Sequence, residues 1–256
     1  VLRGVGTELI LYDKYPEFAA AQAEDILHAT PFAYPVPVRS GALEELKGCG
    51  IIVISAGVGQ KEGESRLDLL KRNADVFREL IPRLLDASPD PILIVASNPV
   101  DVMTHMVARI AGDSHGIPQS RIIGSGTILD TARFRAMVGA HLGVSSHSVH
   151  GYVLGEHGDS EVLQWSGTTV GNTPLADFAA QVGAPITEDV RAHIDNSVRN
   201  AATRIIKGKG ATWYGIGGGI ARIAQAVNDD EHSVISCSSP TPLCLGIEDV
   251  SLSLPR

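Results

Sequence analysis

The sequence predicts an α/β protein, with a doubly wound parallel sheet over residues 1–124 and a mixed α+β domain over residues 125–256. Two observations predict the first domain. Short β-rich runs alternate with longer amphipathic stretches, which is the rhythm of βαβ units. The strand runs IIVIS and ILIVA are continuously apolar, as strands are when helices cover both faces of a parallel sheet. A change near Gly124 to long helices and brief strands predicts the second domain.

The individual elements can be placed from apolar spacing and from turn residues. In the first domain, strands are expected over residues 8–12, 51–55 and 92–96, and helices over residues 17–29 and 66–87. In the second domain, helices are expected over residues 127–142, 187–207 and 212–228, with short strands near Val149 and Val153. One buried helix face is expected at residues 190, 194, 198, 201 and 205. The Ser- and Pro-rich segment 233–242 is expected to be irregular.

Composition excludes several classes of function. The formal net charge of −8 and the pI near 5.6 argue against nucleic-acid binding, which draws its affinity from clustered Lys and Arg. No apolar stretch approaches the roughly 20 residues that span a bilayer, so no membrane partner is expected. The cysteines at positions 49, 237 and 244 lack CxxC spacing, so neither a metal site nor a disulfide framework is predicted. A reducing cytoplasm is the expected location.

Glycine pairs that could open a nucleotide site are poorly placed. Gly4-Val5-Gly6 follows no strand and lacks a third glycine, whereas Gly57-Val58-Gly59 follows a strand but has Gly63 one place too late. We interpret neither as the GxGxxG signature. Asp13 ends the first strand, where an acidic side chain can bind a ribose hydroxyl. A turn or N-cap role is its alternative reading.

Other segments combine polar side chains with an α/β context. His157 lies between glycines in a loop, which suits an imidazole that exchanges protons with a substrate. Asp130 and Arg133 share one helix face, and residues 97–101 close an apolar strand, where α/β folds bind ligands. The polar loop 57–66 could close over a site. Taken singly, these features are also compatible with an inert histidine, a local ion pair, a proline turn and a solvated connection.

Together and in this order, the segments resemble the lactate/malate dehydrogenase family, and in detail its bacterial L-lactate dehydrogenases. The resemblance is carried by SAGVGQKEGESRLDLLKRN, SNPVDVMT, GSGTILDTARFR, HGYVLGEHGDSEVLQWS and KGKGATWYGIG. It runs from about Gly4 to Arg256. It departs from the family in two places, because the opening strand with its glycine turn and the final helical segment have no counterpart. We therefore expect both termini to be incomplete.

The resemblance implies a Rossmann-like NAD-binding domain over residues 1–124 and a substrate domain over residues 125–256. The implied reaction is reversible hydride transfer between NADH and pyruvate, giving L-lactate and NAD. His157 would be the acid/base, Asp130 would hold its imidazole, and Arg66 would polarise the substrate carbonyl. The implied substrate-binding residues are Arg133, Gln60, Asn98 and Thr212. The implied cofactor-binding residues are Asp13, Gly57, Val58, Ala96, Ser97, Asn98, Ser125 and Ile216.

Two alternatives remain open at this point. Malate dehydrogenase is the nearest, but its family members carry an arginine where this chain has Gln60, and a neutral amide forms no ion pair with a second substrate carboxylate. The other is a truncated, non-catalytic member of the same fold. The filled catalytic positions argue against loss of the chemistry.

The resemblance also implies a regulatory site and an assembly. Arg135 and His150 match positions where many bacterial L-lactate dehydrogenases bind fructose 1,6-bisphosphate between subunits of a homotetramer. Arg135 lies two residues beyond Arg133, so on a helix it points away from the substrate side. The alternative readings are a solvated helix arginine and a capping or core histidine.

Overall fold

The computed structural model describes the backbone of residues 1–59 and 66–256, and the side chains of residues 1–59 and 68–256. Within these residues there are eight α-helices and twelve β-strands. The helices are α1 (Pro16–Ala29), α2 (Arg66–Ala87), α3 (Val100–His115), α4 (Ile128–Leu142), α5 (Leu175–Gln181), α6 (Glu188–Arg199), α7 (Ala201–Lys209) and α8 (Tyr214–Asn228). The strands are β1 (Leu9–Leu11), β2 (Val38–Ser40), β3 (Ile51–Ile54), β4 (Ile92–Val95), β5 (Ile122–Gly124), β6 (Val149–His150), β7 (Val153–Leu154), β8 (Val162–Leu163), β9 (Thr169–Val170), β10 (Thr173–Pro174), β11 (Ser236–Cys244) and β12 (Ile247–Pro255).

The chain divides into two compact units. The first unit comprises residues 1–123 and 220–233, and the second comprises residues 124–219 and 234–256. Among the described helices, none combines the length and apolar character needed to cross a lipid bilayer.

Parallel strand pairs organise the first unit. β1 pairs with β2, and β3 pairs with β4 in a register that places Ile51 opposite Ile92 and Ile54 opposite Val95. Phe77 and Ile81 of α2 are fully buried in the core that covers these strands. Because β3 and β4 run in the same direction, the residues that follow them emerge at the same edge. The predicted α/β class with parallel strands is confirmed.

The second unit is a mixed α+β structure. Phe134, Val138 and Leu142 recur every four residues on α4, which places one buried face of the helix in the core. Ile194 and Val198 of α6 belong to the same core. The strands of this unit pair antiparallel, β6 with β9, β9 with β10, β7 with β8 and β11 with β12.

The prediction of one continuous helix over residues 187–207 is wrong. The structure has two helices, α6 and α7, that meet at Asn200, whose φ of −93° and ψ of 5° depart from α-helical values. The Asn200 side chain donates to the carbonyl of Asn196 at 3.1 Å. Amide side chains compete in this way for backbone groups and interrupt helices. The predicted apolar face therefore stops at Val198, and Ile205 is exposed.

The prediction of an irregular segment over residues 233–242 is also wrong. Most of it belongs to β11, which forms a long antiparallel hairpin with β12. The hairpin turns at Leu245 and Gly246, which have φ values of 51° and 84°. Ser236 is buried, and its hydroxyl donates to the carbonyl of Val153 at 2.9 Å. Serines whose hydroxyls find backbone partners can fill a buried strand face, and the apolar pattern alone does not reveal this.

Candidate active site

The first unit contains a cavity of about 330 Å³ at the carboxyl ends of β3 and β4. Open α/β sheets bind their ligands at this edge. Residues that follow the two strands, together with two residues of α2, line it: Ser55, Ala56, Gly57, Val58, Leu69, Asn73, Ala96, Ser97 and Asn98. Five of the predicted cofactor positions, Gly57, Val58, Ala96, Ser97 and Asn98, are thus brought together.

Asn73 holds the two loops of this cavity together. Its Oδ1 accepts from the Val58 N–H at 2.8 Å, and its Nδ2 donates to the Asn98 carbonyl at 3.3 Å. A Cβ at Gly57 would lie 3.0 Å from Asn73 Oδ1, so glycine allows this close approach. Sequence reasoning gave Asn73 no role. The signal was available, because Asn73 precedes Phe77 by four residues and so shares the buried face of α2, where an amide needs partners.

Ser97 also lines this cavity, two residues after the end of β4. Its hydroxyl is buried and donates to the carbonyl of Ala56, so it ties the end of β4 to the end of β3. The Ser97 hydroxyl thus fixes the position of the loop that follows β3. The neighbouring Asn98 is exposed at the cavity.

The other predicted positions of the first unit lie outside this cavity or outside the described residues. Asp13 follows β1, and its Oδ1 accepts from the Tyr15 N–H at 2.8 Å, which is the alternative turn role. Its ribose contact stays a prediction. Gln60 lies outside the described residues. Arg66 begins α2, but its side chain also lies outside them.

In the second unit, three predicted residues form one charged cluster. The Asp130 carboxylate is 2% exposed, and its Oδ2 lies 2.5 Å from His157 Nδ1. Its Oδ1 accepts from Arg133 Nη1 at 2.8 Å. Because Nδ1 faces Asp130, Nε2 is the ring nitrogen directed away from the carboxylate. A buried carboxylate in contact with the ring stabilises the imidazolium and fixes its orientation.

Local structure explains why these side chains meet. Asp130 lies in the first turn of α4, where the positive end of the helix dipole favours a carboxylate. Arg133 follows three residues later on the same face. His157 lies in the loop between β7 and β8, and this loop is fixed at Gly155, which exchanges two backbone hydrogen bonds of 2.8 and 2.7 Å with Ser253.

Glu161 is a further carboxyl in this cluster, and sequence reasoning missed it. It is 3% exposed, and one ligand atom from each of Asp130, His157 and Glu161 lies within 4.8 Å of the others. Burial, and then the nearby Asp130 carboxylate, raise the pKa of Glu161 to about 7. Its sequence signal was its position four residues after His157, in the same quoted motif.

These three residues could in principle hold a metal ion, but their chemistry favours proton exchange. Both Asp130 oxygens already contact cationic or protonatable groups, Arg133 on one side and His157 on the other. A metal ion would have to displace the His157 contact and would be repelled by the adjacent guanidinium. The cluster therefore has the composition of an acid–base centre.

Thr212 and Ile216 lie near the same end of α4. Both are partly buried, in the segment before α8 and in its first turn. A Cβ at Gly215 would lie 3.1 Å from Leu129 Cδ1, so the start of α8 packs closely on the start of α4. Ser125 is 3% exposed just before α4. The structure thus places three more of the predicted positions around the segment that carries Asp130.

Arg135 on α4 and His150 on β6 are linked through the backbone of the residue that follows His150. Arg135 Nε donates to the Gly151 carbonyl at 2.8 Å, and its guanidinium lies 4.9 Å from the centroid of the Tyr152 ring. His150 is exposed at the end of β6, next to Gly151. The two predicted residues are therefore neighbours through the backbone.

Two family models cover nearly the whole chain. The lactate/malate dehydrogenase NAD binding domain matches residues 1–124, and the lactate/malate dehydrogenase alpha/beta C-terminal domain matches residues 127–255. The chain belongs to the lactate/malate dehydrogenase family. The resemblance inferred from the sequence motifs is confirmed.

Individual members of this family are similar over the full chain. The L-lactate dehydrogenase of Thermus aquaticus is 54% identical over 256 residues, which cover 100% of this chain and 81% of that protein. The L-lactate dehydrogenase of Allorhizobium ampelinum is 53% identical over 253 residues, 99% of this chain and 80% of that protein. The crystal structure of the minor L-lactate dehydrogenase from Enterococcus mundtii in a ligand-bound form has a TM-score of 0.92 and 39% identity, covering 100% of this chain and 80% of that one.

The first unit fits the NAD that its family binds. The cavity lies at the carboxyl edge of a parallel strand pair and is lined by small or neutral side chains. Gly57, which has no side chain, lets the Asn73 amide approach the loop that lines the cavity. NAD as the cofactor, predicted from the resemblance, is confirmed by the match to the NAD binding domain.

Proposed function

We propose that this chain catalyses the reversible reduction of pyruvate to L-lactate with NADH. The expectation of an NAD-dependent L-lactate dehydrogenase is confirmed by the family and by the relatives of that name. The observation that carries the catalytic assignment is the contact of 2.5 Å between His157 Nδ1 and the buried Asp130 carboxylate. It supplies an oriented proton donor beside an arginine.

His157 is the acid and the base of the proposed reaction. When bound, NADH supplies the hydride that adds to the carbonyl carbon of pyruvate. His157 donates its Nε2 proton to the carbonyl oxygen, which becomes the hydroxyl of lactate, and in the reverse direction Nε2 takes that proton back. Asp130 keeps the imidazole in one orientation and stabilises its charged form.

Substrate recognition is assigned to residues of both domains. Arg133 uses Nη1 to contact Asp130, and its planar guanidinium carries further N–H donors that suit the pyruvate carboxylate. Arg66 would polarise the carbonyl, and Gln60 would face the substrate methyl group. Asn98 and Thr212 are the other proposed substrate-binding residues.

We assign residues 1–124 to the dinucleotide-binding domain and residues 125–256 to the substrate and catalytic domain, which supplies two of the proposed NAD contacts, Ser125 and Ile216. The proposed NAD contacts are Asp13, Gly57, Val58, Ala96, Ser97, Asn98, Ser125 and Ile216. Five of these line the cavity of the first unit, which supports the assignment.

The experiment that tests the proposed function compares two substrates. Initial rates of NADH oxidation are measured with pyruvate and with oxaloacetate over a range of concentrations. We expect kcat/KM to be at least about tenfold higher for pyruvate, because discrimination against a second, unpaired carboxylate is worth more than about 1.4 kcal/mol. A higher kcat/KM for oxaloacetate would assign the chain to malate instead.

We also propose that fructose 1,6-bisphosphate activates a homotetramer through Arg135 and His150. Two symmetry-related copies of this cationic pair would repel each other across a twofold interface, and a bisphosphate would relieve the repulsion. The hydrogen bond from Arg135 Nε to the carbonyl of Gly151, the residue that follows the exposed His150, supports the pairing.

Kinetics and sedimentation test this regulatory proposal. In the parent, the bisphosphate should lower the KM for pyruvate and shift sedimentation toward a tetramer, whereas the R135Q/H150Q double variant should not respond. The control R78Q/H28Q removes the same two residue types from exposed positions on α2 and α1 and should respond like the parent. An equal response in R135Q/H150Q would remove these residues from the regulatory site.

A further inference from the structure

Glu161 is a buried carboxyl that the proposed reaction leaves without a role. Its side chain is 3% exposed, and Oε1 has no hydrogen-bond partner among the residues that the structure describes. An unpaired buried carboxyl oxygen is expensive to maintain. One carboxyl oxygen of Glu161 lies within 4.8 Å of atoms of Asp130 and His157. The unfavourable burial of this carboxyl therefore occurs beside the acid–base pair.

Charged groups approach Glu161 from each neighbouring element. Asp130 and Arg133 face it from α4, His157 from its own loop and Arg199 from α6. Both arginines are engaged elsewhere. Arg133 Nη1 contacts Asp130 at 2.8 Å, whereas Arg199 donates to Asp195 Oδ1 at 2.5 Å and to the Asp159 carbonyl at 2.6 Å.

The charge on Glu161 therefore changes within the neutral pH range. Burial and the Asp130 charge raise its pKa to about 7, against the opposing effects of Arg199, His157 and Arg133. Below this pH the Glu161 carboxyl is neutral and adds no charge beside His157. Above it, Glu161 places a second negative charge close to His157.

Resting on the proposed role of His157 in proton transfer, we propose that Glu161 is a positioning residue whose ionised carboxylate stabilises the His157 imidazolium and extends pyruvate reduction to higher pH. Pyruvate reduction needs the protonated imidazole. A carboxylate within about 4–6 Å favours that form by roughly one pH unit or more.

The test is the pH profile of kcat/KM for pyruvate in Glu161→Gln, whose amide is isosteric with the protonated carboxyl. The pH at which kcat/KM falls to half should move down by about one unit relative to the parent. At pH 5.5 the variant and the parent should have similar values. The matched control E156Q changes an exposed carboxyl in the same loop and should keep the parent's profile.

A second neutral variant, Glu161→Ser, has a side chain smaller than that of glutamine, so it controls for a packing defect in E161Q. It should move the pH profile in the same direction. Glu161→Asp, which retains a carboxyl, should stay closer to the parent's midpoint. A folded E161Q or E161S with the parent's midpoint would overturn the proposal.

Thermal unfolding tests the ionisation of Glu161 without catalysis. Because the pKa of Glu161 is raised from 4.5 to about 7 in the folded chain, the free energy of unfolding should fall as pH rises through that interval. E161Q lacks this loss, so its Tm relative to the parent should be higher at pH 8 than at pH 5. An unchanged difference would contradict buried ionisation at Glu161. A parent that unfolds as expected but does not reduce pyruvate would instead contradict the proposed function.

Discussion

The two units build their sites from different chemistry. In the first unit, the described residues that line the cavity are all uncharged, and the amide of Asn73 and the hydroxyl of Ser97 fix its loops. In the second unit, Asp130, His157 and Glu161 form a buried titratable cluster beside Arg133. The first arrangement holds a backbone in position, whereas the second controls where a proton resides.

Because of this difference, cofactor binding and proton transfer should depend on pH in different ways. Neutral hydrogen bonds are insensitive to pH, so the affinity of the described cavity for NADH should vary little between pH 6 and pH 8. The charged cluster changes state over that interval, because the pKa of Glu161 is raised to about 7. Substitutions in the two units should therefore affect different measurable quantities.

The largest expected effect comes from His157→Gln. Glutamine cannot act as the proton donor, so pyruvate turnover should fall by roughly 10² or more, since general acid catalysis contributes about 10² to 10⁴. NADH binding should be nearly unchanged, because His157 belongs to the charged cluster and not to the neutral cavity. Stopped-flow turnover and a fluorescence titration with NADH measure the two quantities.

His147→Gln is the matched control for this substitution, because His147 is an exposed histidine of the same unit. Its turnover should match that of the parent. Near-normal turnover in H157Q would show that another group supplies the proton. A large loss of NADH affinity in H157Q would break the separation between the two units.

Much of the fold and of the charged cluster could be predicted from the sequence. Apolar runs gave β3 and β4 to within one residue, and α2 was placed at Arg66–Ala87. The resemblance named Asp130, Arg133 and His157, and the structure brings them together. Each of these residues stands in a sequence motif that resembles the family's, so it could be named before its contacts in the fold were known.

The two wrong predictions of secondary structure have a common physical cause. In each, a polar side chain forms a hydrogen bond with a backbone carbonyl. Asn200 interrupts a helix by bonding to Asn196, and Ser236 fills a buried strand face by bonding to Val153. Asn73 was also missed, although its position four residues before Phe77 places it on the buried face of α2. Hydrophobic patterns treat such residues as surface, because a pattern does not show which hydrogen bonds the fold will provide.

Glu161 was missed for a different reason. Its importance depends on a distance to Asp130, a residue 31 positions away in the chain, and on complete burial. An acidic residue in a glycine-containing loop is ordinarily solvated. Only the packing of the loop against α4 makes it part of the cluster.

A smaller effect is expected from Gln60→Arg, which introduces a charge at the position that we propose to face the substrate. If that proposal holds, the new guanidinium pairs with the second carboxylate of oxaloacetate. A charged hydrogen bond worth about 2 kcal/mol would change the oxaloacetate-to-pyruvate ratio of kcat/KM by roughly 30-fold.

Gln60→Glu is the control of opposite sign for this substitution, and it should lower the same ratio. Steady-state kinetics with both substrates give the ratio directly. If Q60R leaves the ratio at the parent's value, residue 60 does not face the substrate side chain.

The smallest expected effect comes from Asn73→Ala, which tests the neutral cavity. The substitution removes the acceptor for the Val58 N–H and the donor to the Asn98 carbonyl, so the two loops lose their shared partner. Each net hydrogen bond contributes about 1 kcal/mol, so NADH affinity should fall roughly tenfold if part of this energy orders the loops for binding. The pH profile of kcat/KM should keep the parent's midpoint, because no titratable group is changed.

Asn228→Ala, at an exposed position on α8, is the matched control and should leave the Kd for NADH unchanged. An N73A variant with the parent's Kd would mean that the loops hold their positions without the amide, whereas a shifted midpoint would mean that the cavity and the charged cluster are coupled.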